Sequence, residues 1–485
     1  MKVFFHIVPV FLALLPVLFA AWEKAWSAHG TTSPHLLVCA LIAFVGTFLL
    51  PQAHKDESRL HAMKRVVRLA IGDPFVYLGA AFLLLLVIPL YNQGLCPACD
   101  ARAIAAGASA QPPYAYLPFC VNPDEHGSLL RWFTAAFATA FAFRHGLVGI
   151  GRRIGYEALV WNGALLAAYG FVLLPLGKVD SSYSFSVFGY PNQGGSFFVL
   201  SLALSLGLWG YRIMRASRPE READPVSHPL LARHYPAIPA ALTFFASVAT
   251  LSRAAMLFAL SLAGVFFVYV FVASIAGKRR VHRVKGLSGI LILISVLLSV
   301  VLYAPPVVQK EFATLTTRGI TDRAAGKGQY HERVASAIMR DYPFFGIGGW
   351  GYRHFCRQYM DKKELRGLQV TGGANVHNDY LQFVAEHGLV GFALLAIAFI
   401  LLLRSVWRRW WLQYGYYRFS PTERTPVSPQ LIYAVEPTVF FAVLGIVAVL
   451  LHALGDCPLR SPVVVITLFA VPVATLGFFR APEKK

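Results

Sequence analysis

The chain has 485 residues, of which 56% are apolar and only 14% charged, and its mean hydropathy is +0.55. About a quarter of the residues of a soluble protein are charged, so this composition argues against a soluble enzyme. Disorder is excluded as well, because a chain with 14% aromatic residues and so little charge cannot stay solvated. The composition therefore indicates a membrane protein.

Apolar runs of about the length of a membrane-spanning helix recur along the chain. We predict an all-α polytopic protein with about twelve transmembrane helices, because an isolated span in lipid must satisfy its own backbone hydrogen bonds. The first run lacks a small-residue cleavage site and is interpreted as a span rather than a signal peptide. The predicted spans are 3–21, 35–52, 73–91, 128–148, 157–177, 195–214, 237–252, 254–275, 286–305, 388–403, 434–453 and 463–479.

The net charge of +20 is distributed unevenly between the predicted loops. Five Lys or Arg residues lie in each of the segments 53–72, 211–236, 277–285 and 404–433, which face one side of the membrane if the spans alternate. Positive loops face the cytoplasm, so both termini are predicted to be cytoplasmic. The segment Trp407-Arg408-Arg409-Trp410-Trp411 is interpreted as an interfacial aromatic belt and not as a nucleic-acid site.

The alternation of spans divides the chain into three parts. Residues 1–305 hold the first nine spans, residues 306–387 form one long outside segment, and residues 388–485 hold the last three spans and a cytoplasmic tail. Within the outside segment we expect short helices, among them one over 329–341.

Three of the six cysteines share the predicted outside loop 92–127: Cys96, Cys99 and Cys120. A CxxC pair can be a redox motif or half of a zinc site, but no second CxxC or His pair completes a zinc set. An oxidising compartment favours a disulfide, so we predict that Cys120 pairs with Cys96 or with Cys99. A redox role is the alternative.

The segment 373–391, where the long outside segment enters the tenth span, contains imidazole, amide and carboxylate side chains. Histidine titrates near neutrality, so His377 can take a proton from a sugar hydroxyl. A structural role is the other reading of a single histidine. Glu386 and His387 are interpreted as residues of a helix start, where a carboxylate favours the helix dipole.

The pattern H-N-x-x-L-Q-x-x-x-E-x-G-x-x-G at 377–391 resembles the hallmark of the O-antigen ligase and polymerase superfamily of bacterial envelope proteins. Four other segments resemble the family too. They are Arg333 through Gly349 with its P-x-x-G-x-G turn, Ser252-Arg253-Ala254-Ala255, the Asn-containing run 188–195, and the H-x-x-x-D-x-P-L element at 452–459. The histidine that often follows the Asn of the family is Gln193 here.

The resemblance implies a GT-C-like, metal-independent membrane glycosyltransferase that needs no cofactor. It would transfer a glycan from an undecaprenyl-diphosphate carrier, with inversion, at the periplasmic face of the bacterial inner membrane. The diphosphate leaving group needs cations aimed at it, and Arg253 and Arg333 are predicted to supply them. An arginine in an apolar stretch usually lines a functional cavity, although Arg253 can also be a snorkelling anchor and Arg333 a surface ion-pair residue.

His377 is then predicted to be the catalytic residue that takes or orients the acceptor proton. Supporting roles are predicted for Asn192, Asn378, Asp456 and Arg460, with a local ion pair between Asp456 and Arg460 as the alternative. A lipid A core acceptor would make the protein an O-antigen ligase. A second lipid-linked unit would make it a polymerase, and a Ser or Thr acceptor a protein O-oligosaccharyltransferase. The alternative from another class is a transporter or flippase, whose polar residues usually lie near the bilayer midplane.

Overall fold

The computed structural model of the protein is helical along most of its length. It describes residues 2–22, 34–54, 57–94, 114, 116–173, 185–215, 234–276, 280–303, 306, 309, 329–361, 375–419 and 436–479. These ranges contain no β-strand, and an isolated antiparallel bridge joins Phe185 to Phe188. The predicted all-α class is confirmed.

Helices of the first half of the chain are α1 Lys2–Trp22, α2 His35–Leu49, α3 Arg59–Ile71, α4 Pro74–Gly94, α5 Pro123–Phe141, α6 Gly149–Leu173 and α7 Pro191–Arg215. A π-helical turn, Ala142–Gly146, follows α5 directly. Those of the second half are α8 Ala237–Ala249, α9 Arg253–Ala276, α10 Arg280–Tyr303, α11 Gln329–Asp341, α12 Tyr352–Phe355, α13 Asp379–Phe419, α14 Pro437–His452 and α15 Pro462–Thr475. Short 3₁₀ turns lie at Cys356–Tyr359, Pro458–Arg460 and Leu476–Phe478.

Each of the twelve predicted spans overlaps one of these helices. Within the described residues, five helical stretches are long and apolar enough to cross a membrane: Pro74–Asn92, Gly149–Leu173, Pro191–Met214, Arg253–Ala273 and Asp379–Leu412. Other apolar helices, such as Ile7–Trp22 and Pro437–His452, are shorter. The structure therefore supports a multi-pass membrane protein, and the count of twelve stays a prediction.

Of two helices that lie outside the predicted spans, α11 was predicted from the sequence and α3 was not. The helix predicted over 329–341 is present as α11, with the bounds Gln329–Asp341. The short helix α3 was not predicted, because its many basic residues interrupt any apolar run. Ser58 begins α3 as an N-cap, since its hydroxyl oxygen accepts the backbone N–H of His61 at 3.3 Å.

The chain forms two compact units, each built from segments that are distant in sequence. The first unit contains residues 1–146, 315–402 and 450–469, and the second contains residues 147–314, 403–449 and 470–485. This grouping follows packing and not the order of the chain. The three-part division by predicted topology stays a prediction.

Each unit has its own apolar core. In the second unit, side chains of α7 to α10 and α14 pack around Trp209, whose ring stacks on Phe266 with centroids 4.9 Å apart. In the first unit, the buried face of α11 (Val334 and Ile338) packs with Tyr352, Phe355 and other residues outside the long apolar helices. That core also contains Val376, the residue directly before His377, so it supports the segment that carries the predicted catalytic histidine.

Candidate active site

His377 lies at the junction between a buried residue and a helix start. Val376 is buried in the core beside α11, and Asn378 is the residue before α13. The Asn378 side-chain oxygen accepts the backbone N–H groups of Tyr380 and Leu381 at 3.1 and 3.2 Å. This is an N-cap, so the structure gives Asn378 a role in starting the helix that follows His377. The imidazole between these two fixed residues is 44% exposed.

The backbone of His377 is in the left-handed region, with φ of 54°. Non-glycine residues in this region are uncommon and are found preferentially at functional sites. The described residues contain three others: Ser186, Leu251 and Trp350. Each of the four lies within a segment that carries the family resemblance or no more than two residues from one, so strained backbone and family motif occur close together along the chain.

Asp456 faces His377 from the turn after α14. Its Oδ1 atom lies 3.7 Å from Nδ1 of His377, and the carboxylate side chain is only 14% exposed. The same oxygen accepts the backbone N–H of Cys457 at 2.7 Å, which fixes its orientation. This distance is too long for a hydrogen bond, but at this separation a carboxylate stabilises an imidazole electrostatically when the ring takes up a proton.

Contacts between α13 and the end of α14 bring the imidazole and the carboxylate together. The backbone N–H of Asp379 donates to the carbonyl of Ala453 at 2.9 Å, and the Tyr380 hydroxyl donates to the carbonyl of Leu450 at 2.9 Å. His377 and Asp456 therefore meet because two helix ends are joined, although the two residues are distant in the sequence.

Arg460 is buried and holds two acidic residues of α13. Its guanidinium donates to Oε2 of Glu386 at 2.7 Å and lies 3.4 Å from Oδ1 of Asp379. Burial alone would lower the pKa of Arg460, but the carboxylates of Glu386 and Asp379 outweigh it and raise that pKa. The cation is thus permanently charged and neutralised within the protein.

This arrangement corrects two expectations. Arg460 does not form the local ion pair with Asp456, since its partners lie on α13, far away in the chain. Glu386 does not begin a helix. It lies near the end of the first segment of α13, where Gln382 also donates to its Oε1 atom at 3.0 Å. The sequence suggested a dipole effect because it contains no local sign of the kink that follows.

Gly388 makes that kink, because its φ of 65° and ψ of −176° divide α13 into two helical segments. The P-x-x-G-x-G turn is bonded to the kink through its backbone. Gly348 N–H donates to the carbonyl of Glu386 at 2.8 Å, and Leu389 N–H donates to the carbonyl of Pro343 at 2.8 Å. A Cβ atom on Gly388 would lie 2.1 Å from the Phe344 carbonyl oxygen. The glycines of both motifs are needed because two backbones touch here.

His387 is buried in the same junction. Its ring packs on Phe383 with centroids 4.6 Å apart and lies 6.2 Å from the ring of His126. His126 in turn accepts the backbone N–H of Gly349 at 2.7 Å. His387 and His126 therefore pack against the P-x-x-G-x-G turn, and His387 does not lie at a helix start as the sequence suggested.

Arg333 lies on the exposed face of α11. Its guanidinium donates to the carbonyl of Tyr359 at 3.4 Å, while Val334 and Ile338 turn to the core. The side chain is thus open to solvent on the helix whose other face supports Val376. Its predicted contact with a diphosphate stays a prediction.

Arg253 and Asn192 belong to the second unit. Arg253 is the first residue of α9, directly after Ser252, whose hydroxyl oxygen accepts the backbone N–H of Ala255 at 3.4 Å. Gly195 of α7 contacts the same element closely, because a Cβ there would lie 2.6 Å from Cβ of Ala255. The Asn192 amide donates to the Tyr190 hydroxyl at 3.4 Å. Two of the resembling segments thus pack on one another, and the substrate roles of Arg253 and Asn192 stay predictions.

Of the predicted disulfide cysteines, Cys96 and Cys99 lie outside the described residues. Cys120 is fully buried, with its sulfur 3.3 Å from the carbonyl oxygen of Pro89. A Cβ atom on Gly348 would lie 2.6 Å from Cβ of Cys120, so Cys120 packs against the P-x-x-G-x-G turn. The pairing itself stays a prediction.

Three side chains at the site have atoms that can bind metals. Ligand atoms of His377, Asp456 and Cys457 all lie within 4.8 Å of one another. Burial, with the Asp456 carboxylate beside it, raises the pKa of the Cys457 thiol well above its usual value. The thiolate is the form that binds metal, and a bound ion would itself favour the thiolate over the thiol. The three side chains are therefore a candidate set of metal ligands, and the predicted independence of a metal stays a prediction.

Arg353 is a second cationic residue next to Arg460, and its place here was not predicted from the sequence. The guanidinium carbons of Arg353 and Arg460 lie 4.2 and 4.8 Å from the ring centroid of Trp350. Glu125 lies 3.6 Å from Arg353 and accepts a hydrogen bond from His354 at 2.9 Å. Glu125 is far from these partners in the sequence, so no local pattern announced the contact.

The fold and site thus define a multi-pass helical membrane protein with an exposed His–Asp pair at the start of a long apolar helix. A family model described as O-antigen ligase matches residues 238–396, and this match confirms the predicted resemblance to the O-antigen ligase superfamily over that part of the chain. It supports glycan transfer of the O-antigen ligase or polymerase type. The matched part includes Arg253, Arg333 and His377, and it ends before Asp456 and Arg460. A comparison with curated proteins finds no match.

Proposed function

We propose that the protein transfers a glycan from an undecaprenyl-diphosphate-linked donor to an acceptor hydroxyl, as an O-antigen ligase with a lipid A core acceptor. The observation that carries the proposal is the exposed imidazole of His377 beside the nearly buried carboxylate of Asp456, 3.7 Å away. An acceptor hydroxyl can reach this imidazole from solvent. The superfamily match to the segment that contains His377 supports glycan transfer as the chemistry.

In the proposed mechanism, His377 takes the proton from the acceptor hydroxyl, or orients it, while that oxygen attacks the anomeric carbon. The Asp456 carboxylate balances the positive charge that the imidazole gains with the proton. The glycosyl–diphosphate bond breaks as the new glycosidic bond forms, so a single displacement inverts the anomeric centre. No step requires a metal ion.

The leaving diphosphate carries negative charge that cations must stabilise. Arg333 is proposed for this task because its guanidinium is exposed on α11, whereas Arg460 is already neutralised by two carboxylates. Arg253 keeps the same proposed role on the strength of its motif. An arginine suits a diphosphate because its planar fork binds two oxygens at once.

The test compares variants of His377 and Asp456 in glycan transfer from a lipid-linked donor by the reconstituted protein. General-base help contributes about 10²–10⁴-fold in rate, so His377→Ala should lose about that much. Asp456→Asn should lose less, because the imidazole remains. His61→Ala, which changes an exposed histidine on α3, is the matched control and should keep its activity.

The comparison of the variants at matched expression distinguishes the outcomes. Near wild-type transfer by His377→Ala would contradict the assignment of the base. An equal and complete loss in His377→Ala and Asp456→Asn, together with a lower melting temperature for both, would show that the pair is structural.

Two other enzyme types of the superfamily, a polymerase and a protein O-oligosaccharyltransferase, differ from the proposed ligase in the acceptor they use. A deletion strain separates the first two, because a ligase defect leaves lipid A core without long chains beside carrier-linked polymer. Single repeat units on the core would instead identify a polymerase. A transporter or flippase is disfavoured, since the exposed pair lies at the end of an apolar helix and not in its middle.

We place the site at the periplasmic face of the inner membrane, with both termini in the cytoplasm, because of the positive-inside charge pattern. A topology reporter fused after Gly349 should report the periplasm, and one fused after Tyr416 the cytoplasm. The opposite pair of results would contradict this orientation.

A further inference from the structure

Helix α3 connects two apolar helices at one end of the first unit. At its start, Arg59 donates to the carbonyl of Leu49, the last residue of α2, at 3.0 Å. At its end, the Tyr77 hydroxyl of α4 donates to the carbonyl of Ile71 at 2.6 Å. A helix of 13 residues is about 20 Å long. In the predicted topology α2 and α4 are consecutive spans, so a helix whose ends are bonded to the end of α2 and to the start of α4 lies along one membrane face.

One side of α3 is buried against the protein. Ala62, Val66 and Ala70 follow one another at intervals of four residues, and all three are buried. These small side chains allow α3 to pack closely on α2 and on the π-helical turn after α5. Several side chains on the other sides of the helix are exposed.

Apolar side chains occupy a second side of α3. Leu60, Val67 and Ile71 are 59%, 44% and 65% exposed, and their spacing of seven and four residues places them on one stripe. A stripe of this kind beside apolar helices favours contact with acyl chains.

Basic side chains occupy a third side. Lys64 and Arg68 are exposed, one turn apart. Neither side chain makes a hydrogen bond or ion pair with the part of the chain that the structure describes. Arg65, by contrast, is bonded to Glu57 at 3.0 Å and to the carbonyl of Gln52 at 2.8 Å. Lys64 and Arg68 therefore carry positive charge that the described part of the protein does not neutralise.

We propose that α3 is an in-plane amphipathic helix that binds anionic phospholipid headgroups, with Lys64 and Arg68 on the phosphates and Leu60, Val67 and Ile71 among the acyl chains. Apolar and basic stripes on neighbouring sides of one helix match the boundary between acyl chains and negative headgroups. The positive-inside pattern assigns this helix to the cytoplasmic leaflet. The proposal is independent of the glycan transfer proposed above.

The test measures phosphatidylglycerol binding to the full-length protein in mixed detergent micelles by native mass spectrometry, with phosphatidylcholine as the neutral lipid. Each Lys or Arg near an anionic surface contributes roughly five-fold in affinity. Lys64→Gln with Arg68→Gln should therefore weaken phosphatidylglycerol binding about 25-fold and leave phosphatidylcholine binding unchanged. Leu60→Asn with Ile71→Asn should weaken the binding of both lipids.

A matched control is the double variant Arg340→Gln and Arg357→Gln, which removes two exposed positive charges elsewhere in the first unit. It should bind phosphatidylglycerol like the wild type, and all variants should melt at the same temperature in lipid-free detergent. An equal loss in this control would mean that net charge alone attracts the lipid and would overturn the proposal. So would unchanged binding in the Lys64/Arg68 variant, or a Leu60/Ile71 variant that binds like the wild type.

Discussion

Two groups of titratable residues in the first unit come from the same family segments and differ in their access to solvent. The buried group consists of Arg460, Glu386 and Asp379, whose side chains are 6%, 0% and 3% exposed. The exposed group is the pair His377 and Asp456, in which the imidazole is 44% exposed. Motif spacing alone does not distinguish them. The comparison shows that, within one motif, some charges hold the structure and others remain accessible to a substrate.

The difference in burial has an energetic consequence. A buried charge loses its hydration, which its partners must offset, so Arg460 needs both of its carboxylates. His377 remains partly hydrated beside its oriented carboxylate, so a substrate can approach the imidazole from solvent. The buried group joins the first segment of α13 to the turn before α15, and that junction sets where His377 and Asp456 meet.

The largest expected effect comes from Gly388→Ala, which attacks the kink beside the buried group. The new Cβ would lie 2.1 Å from a backbone oxygen, and the φ of 65° disfavours any side chain. We expect no folded, monodisperse protein by size-exclusion chromatography in detergent. Gly455→Ala is the matched control, because nothing lies within 4 Å of its Cβ position. Normal folding of Gly388→Ala would mean that the two backbones are not in contact.

The next effect is that of Arg460→Met, which keeps most of the apolar volume and removes the charge. It leaves two carboxylates buried without their cation, which costs about 3–5 kcal/mol in the free energy of unfolding. The melting temperature should fall well below that of His377→Ala, which should melt like the wild type. Arg340→Met, on the exposed face of α11, should change stability by about 0.5 kcal/mol or less. An Arg460→Met protein that is stable but inactive would move Arg460 from the structural group to the substrate-binding group.

The smallest effect is expected from removing metal ions, which tests whether His377 and Asp456 act without one. Treatment with EDTA should leave glycan transfer unchanged, because in the proposed single displacement arginines stabilise the leaving diphosphate and no step uses a metal ion. Cys457→Ser should likewise keep most of the activity. Loss of transfer in EDTA with recovery on adding magnesium or manganese would show that a metal ion acts at His377 and Asp456.

Much of this protein could be read from its sequence. The apolar runs predicted helices at all twelve places, because a helix in lipid satisfies its own backbone and needs only local sequence to form. The amphipathic helix α11 was predicted with its observed bounds, because its formation also depends mainly on the local sequence. The motif around His377 predicted the resemblance to the O-antigen ligase superfamily that the match over 238–396 confirms for that part of the chain.

Tertiary structure decided which motif residues are structural and which are exposed. Arg460 and Glu386 are joined by an ion pair although they are distant in the chain, and no short-range sequence pattern reports such a contact. The positive φ at Gly388 depends on the backbone of Pro343 to Phe345 packing against it, so the kink is invisible in the local sequence. The sequence determined the helices and the chemical groups, because these depend on neighbouring residues. The packing of distant segments decided their burial, which is why only the folded chain separates the exposed His377 from the buried Arg460.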